Sequence, residues 1–150
     1  MALQESVAVR NARLDAIETT IGASAILKIR SGSVPATCAT ADAGTVLATL
    51  NLPSDWMAAA SSGSKAKSGT WEDTSADNTG TALHWRIYAS DGTTCGLQGT
   101  ITVTGGGGDL TVDSTSFTAG QQFTVTSLTL PLATARSSSA WLSARLRSER

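Results

Sequence analysis

Charge, aromatic rings and long apolar runs are all scarce in this chain. Asp, Glu, Lys and Arg make up 15% of its 150 residues, and Phe, Trp and Tyr only 5%. A long helical bundle draws on Glu, Lys and Leu, so this composition argues against one. No window approaches the ~20 apolar residues of a membrane span, and a membrane is not an expected partner. The segment Met1–Ala16 is amphipathic and lacks the apolar stretch of a secretory leader. Assembly in the cytoplasm is therefore expected, where thiols stay reduced.

Residues suited to catalysis or metal binding are also few. His84 is the single histidine, and Cys38 and Cys95 are the two cysteines. Together they cannot fill the four N/S positions of a structural zinc site. No Ser–His–Asp or Cys–His pairing shows a spacing signal around His84, so a packing or surface role is expected for it. Glu72, Asp73 and Asp77 form an acidic cluster, but not with the ligand spacing of a calcium loop. Gly105–Gly108 lacks the Lys-Ser/Thr that follows in a phosphate-binding loop. Paired carboxylates on rigid elements, as sugar hydrolysis requires, are not evident either. The expectation is a protein that is not an enzyme and carries no cofactor.

What the chain does have is hydroxyl groups. Ser and Thr number 41, a mix that suits many short strands. The expected fold class is mainly β: a sandwich or jelly-roll-like domain of about seven or eight antiparallel strands, with an N-terminal helix and an extended C-terminal tail. Residues 1–22 are read as a helical arm, 23–131 as the β-domain and 132–150 as a basic tail.

The helix rests on Leu3, Val7, Arg10, Leu14, Ile17 and Ile21, spaced 4, 3, 4, 3, 4, with Gly22 placed to end it. Val7, Arg10, Leu14, Ile17 and Ile21 are the face expected against a neighbouring subunit. The alternative is that the same helix lies on its own sheets. From Ser24 the period becomes two. Residues 24–30, 45–52, 65–71 and 82–90 read as strands, and Asp91-Gly92 as a hairpin turn leading into 94–104. Gly105–Asp109 reads as a turn, and two further strands bend at Ala119-Gly120.

The charge is unevenly spread. Residues 23–135 hold five Lys/Arg against eight Asp/Glu, whereas 136–150 hold four Arg against one Glu. The tail residues Arg136, Trp141, Leu142, Arg145, Leu146 and Arg147 are therefore the expected attachment segment. An acidic neighbour is the favoured target, and nucleic acid is not expected as a partner. Cys38 and Cys95 are a candidate disulfide, with free thiols and a bond between subunits as the open alternatives.

The order of motifs resembles a set of small tailed-bacteriophage and prophage virion structural proteins. The residues that carry the resemblance are Arg10–Leu14, Gly44–Leu50, Trp56–Ala60, Ala76–Tyr88, Asp91–Thr94, Gly99–Leu110 and Ala119–Leu130. They span nearly all of residues 1–131, and the basic tail from Ala133 departs from the pattern. The resemblance implies a virion component that self-associates, as a closed ring or trimer, and attaches to other virion proteins. A neck, collar or tail position is expected first and a capsid decoration (cement) role second. A carbohydrate-binding host-recognition module is the third reading, for which Trp56, Trp71 and Trp85 are the residues to inspect.

Overall fold

The computed structural model describes residues 3–131. The expected tail residues Arg136, Trp141, Leu142, Arg145, Leu146 and Arg147 lie outside the described residues.

The helix α1 runs Val7–Ile21, with Ser6 capping it through a bond from the Val9 N–H. Gly22 ends it at φ +94°, where glycine is favoured, and donates to the Glu18 carbonyl. Eleven strands follow: β1 Ile26–Arg30, β2 Val46–Asn51, β3 Ser64–Ala66, β4 Glu72–Asp73, β5 Gly80–Thr81, β6 His84–Tyr88, β7 Cys95–Val103, β8 Leu110–Val112, β9 Ser116–Phe117, β10 Phe123–Thr124 and β11 Thr129–Pro131. Five of them form one sheet in the order β2-β1-β6-β7-β8. Three two-stranded ribbons, β10-β4, β11-β3 and β5-β9, complete the set. The chain is mainly β, but with more and shorter strands than expected.

The sheet is mixed, which corrects the all-antiparallel expectation. β7 and β8 run parallel, with Ile101 opposite Leu110 and Val103 opposite Val112. Gly105–Asp109 is thus a tight return loop and not a hairpin turn. Gly105 and Gly107 adopt positive φ. A Cβ on Gly106 or Gly108 would sit 2.8 Å from the Thr102 side chain. Only glycine lets the chain fold back this closely. Asp109 then locks the loop, its carboxylate accepting from the Thr100 N–H and hydroxyl at 2.9 Å each.

One core joins the helix to the sheet. Leu27, Ile29, Leu47, Leu50, Trp56, Trp71 and Ile87 are buried, and Ile21 belongs to the same cluster. Each of the three tryptophans among the described residues donates its indole N–H to a backbone carbonyl: Trp56 to Gly22, Trp71 to Ser68 and Trp85 to Thr100. Their rings are buried without an orphaned donor. The helix end lies directly on β7. A Cβ at Gly96 would come 2.3 Å from Ile21 Cγ1.

Thus α1 lies on its own sheets instead of standing off as an arm. Leu14 is 1% exposed and Ile21 9%, and Ile17 packs against the core. Arg10 lies over Gly63, its guanidinium carbon 3.2 Å from where a Cβ would be. Of the five residues expected at a subunit interface, Val7 alone is exposed, beside Leu3 and Val9. The open edge at β2 is covered from within as well. Asp77 and Asn78 donate their N–H groups to Leu47, and Asp73 accepts from Thr49. That cover blunts the edge within the chain itself.

Candidate functional site

The densest polar cluster lies under the loop 31–44, on one face of β6. Alternation along β6 sets Trp85 and Ile87 toward the core and His84, Arg86 and Tyr88 on the opposite side. All five residues are nevertheless buried. The loop covers the polar side, and the sheet side chains bind its backbone. Arg86 donates to the Thr37 and Thr40 carbonyls, each at 3.0 Å, and to Gln98 at 3.1 Å. Gln98 in turn donates to the Pro35 carbonyl at 2.6 Å, Arg30 to Gly44 at 3.3 Å, and His84 Nδ1 lies 2.8 Å from the Gly32 carbonyl.

Asp42 ties the cluster together. Its carboxylate accepts from Arg86 at 2.6 Å, from Arg30 at 2.7 Å and from the Tyr88 hydroxyl at 2.7 Å. The Arg86 side chain is 2% exposed and that of Arg30 9%, against 37% for Asp42. Two buried guanidinium groups thus share one carboxylate at the rim. Burial by itself would raise the Asp42 carboxyl. The bonds from Tyr88 and Arg86 and the charges of Arg30 and Arg86 outweigh it and hold it below the usual range. Burial first, then the bond to Asp42, pushes the Tyr88 phenol up to about 12. As Tyr88 is the only tyrosine, an absorbance titration of tyrosinate should show a single late step near that value. A step at the ordinary ~10 would place the phenol in water.

His84 is fully buried, and its Nε2 meets no protein partner. Burial lowers its pKa, and the charges of Arg86 and Arg30 add to this, against the Gly32 bond and Asp42. The unfolded chain therefore takes up this proton more readily than the folded one. The resulting stability is complete above the unfolded value of ~6.5 and declines as pH falls through it toward the lower folded value. Asp42 acts in the same direction at more acidic pH, because its folded value is also depressed. The melting temperature should hold from neutral pH up to the ordinary thiol range of ~8.5, above which the raised Cys95 and Tyr88 values cost stability, and should fall on acidification, the first part of that fall disappearing in His84→Gln. An identical acid profile in that variant would remove His84 as the cause.

A second cluster fastens the helix. Asn11, Asp15 and Glu18, at i, i+4 and i+7, lie on one helix face. They accept from the backbone N–H groups of Gly63, Ala60 and Met57 at 2.9, 2.9 and 3.0 Å. The Lys65 ammonium, on a side chain 3% exposed, lies 2.8 Å from Asp15 and 3.1 Å from Glu18. Burial would lower the Lys65 pKa, but the two carboxylates outweigh it and raise it.

Elsewhere the sites considered from sequence are occupied by local structure. Asp73 and Asp77 bond to Thr49, Asp73 also to Ser75, and Glu72 to Gln122. Among the described residues, no group of three His, Cys, Asp or Glu side chains could hold a metal ion. Trp56, Trp71 and Trp85 are 0–2% exposed, so none of them offers a ring to a sugar. An open groove of about 370 Å³ lies between residues 111–114 and 121–126, with Phe123 in its wall. Cys38 and Cys95 are free, half-buried thiols, Cys38 in the loop that covers this face of β6 and Cys95 at the start of β7.

Sequence reasoning singled out His84 and the cysteines but missed Asp42, Arg30, Gln98 and Lys65. The signal it passed over was the Asn11, Asp15, Glu18 stripe, which repeats the 4, 3 spacing of the apolar seam. Compared with family models, curated proteins and solved structures, the chain matches none.

Proposed function

We propose that this chain is a non-enzymatic structural component of a tailed-bacteriophage particle, placed at the neck, collar or tail. It associates with copies of itself and with neighbouring virion proteins, and its place of residence is the virion. One observation carries the reading. The buried ions Arg30, Arg86 and Lys65 are engaged in fastening the chain to itself, while Leu3, Val7 and Val9 are left 46–73% exposed at the start of α1. The buried charges are turned inward and an apolar patch is left open to solvent, as suits a building block that meets other polypeptides. The order of motifs that resembles phage virion proteins supports the same reading. So does a sheet with its ribbons, which we read as a jelly-roll-like sandwich.

Purified particles from the phage or prophage that encodes the chain should contain it in a fixed, multiple copy number. In solution, Leu3→Asp with Val7→Asp should reduce the oligomer size without lowering the melting temperature, as read by light scattering and thermal unfolding. Particles that lack the chain, or a wild-type chain that stays monomeric at every concentration and in the particle extract, would sink the proposal. Binding to isolated empty heads would move the assignment from the neck or tail to capsid decoration. Specific retention on host cell-surface glycans would move it to host recognition.

A further inference from the structure

We propose that Cys38 and Cys95 form a redox latch, in which oxidation joins them in an intrachain disulfide that locks the 31–44 loop onto β7. Cys95 opens β7 and pairs with Tyr88 of β6. Arg86, two residues before Tyr88, holds the carbonyls of Thr37 and Thr40, on either side of Cys38. The loop backbone around Cys38 is thus already fixed over the strand pair that carries Cys95. Cys38 is close enough to act on the titration of the Cys95 thiol, whose own hydrogen bond goes to the Leu97 carbonyl at 3.5 Å. Both are half-buried, so a small oxidant can reach them while bulk solvent is largely kept off.

The loop is otherwise held by hydrogen bonds and ion pairs, most of them made by Arg86, Asp42, Arg30 and Gln98, with His84 on the Gly32 carbonyl. A covalent tie adds a hold that neither acid nor salt removes. The oxidant is a small-molecule disulfide such as oxidised glutathione. Burial, followed by the effect of Cys38, pushes the Cys95 thiol up to about 12, so Cys95 keeps its proton and the exchange begins at Cys38. The Cys38 thiolate attacks one sulfur of the oxidant, forming a mixed disulfide and releasing one glutathione thiolate. Cys95 then gives up its proton and attacks the Cys38 sulfur, releasing the second glutathione as a thiol. Two protein thiols are oxidised and one glutathione disulfide is reduced to two thiols. For a protein assembled in the cytoplasm, the latch closes after release. That timing rests on the particle reading, and the closure itself does not.

The experiment is titration of the full chain with oxidised glutathione at pH 8, followed by alkylation, mass spectrometry and thermal unfolding. A product that runs as a single chain under denaturing, non-reducing conditions and has no alkylatable thiols is expected, with the peptides of Cys38 and Cys95 linked. Its melting temperature should rise by about 10 °C, because the bond closes a long loop in the unfolded chain. Dithiothreitol should reverse the rise, and Cys38→Ser and Cys95→Ser should each abolish it. Hydrogen exchange in residues 33–43 should slow on oxidation. Mixed disulfides alone, linkage only between chains, or an intrachain bond that leaves the melting temperature and loop exchange unchanged would each overturn the latch. None of these results bears on whether the chain is found in particles, so the two proposals fail separately.

Discussion

Replacing Asp42 with alanine should destabilise the fold by about 3–5 kcal/mol, the cost of leaving buried charge without its counter-ion. The magnitude follows from the two arginines and not from Asp42 itself. Arg86 and Arg30 are nearly inaccessible, and this one carboxylate is the shared counter-ion of both. Without it, two guanidinium groups repel one another in a poorly hydrated space, and the Tyr88 hydroxyl loses its acceptor. The loop 31–44 should detach first, because its carbonyls at Thr37, Thr40 and Gly44 are bound by those same arginines. Urea unfolding measures the total loss, and hydrogen exchange shows where it begins. Asp42→Asn keeps an acceptor but not the charge, and should fall between the two. A change within the ~0.5 kcal/mol of an ordinary surface substitution would show that the arginines find other partners.

The helix lock should respond asymmetrically. Glu18→Ala leaves the Met57 N–H without its acceptor and the buried Lys65 ammonium with Asp15 as its remaining carboxylate partner. The expected cost is about 2–4 kcal/mol. Lys65→Met removes the cation and fills its space with an apolar chain of similar length. Asp15 and Glu18 keep their bonds to Ala60 and Met57, so the expected cost is only about 1 kcal/mol. The double variant should cost less than the sum of the two, because the lysine that Glu18→Ala strands is no longer there. If Lys65→Met proves the costlier change, the ammonium holds the helix through its bond to the Ala58 carbonyl and the reading of the triad fails.

Much of the local structure was legible in the residues. The 4, 3 spacing and Gly22 predict α1 to within a few residues at its start and to the residue at its end. Alternation predicts β1, β2 and β6. Asp91-Gly92 predicts the hairpin that Asp91 closes, its carboxylate accepting from the backbone of Thr93 and Thr94. The parallel return from β7 to β8 was not legible. A run of glycines carries no side-chain pattern, and Leu110–Val112 alternates in the same way whichever direction its neighbour runs. The Asp42 cluster was hidden for a related reason. His84, Arg86 and Tyr88 alternate with apolar residues, as they also would on a face open to water. Asp42 belongs to a loop with no periodicity at all.

By itself, then, the sequence determined the mainly-β class, the N-terminal helix with its end at Gly22, and the Asp-Gly hairpin. Those depend on φ, ψ and on which side of an element is apolar, and both are local properties of the chain. Tertiary structure alone decided that the helix lies on its own sheets, that the polar side of β6 lies beneath a loop, and that this loop, with Cys38 in it, is held over the strand pair that carries Cys95. Periodicity reports which side of an element avoids water. What covers the other side depends on how distant carbonyls, carboxylates and cations meet, and that is settled only when the whole chain has closed.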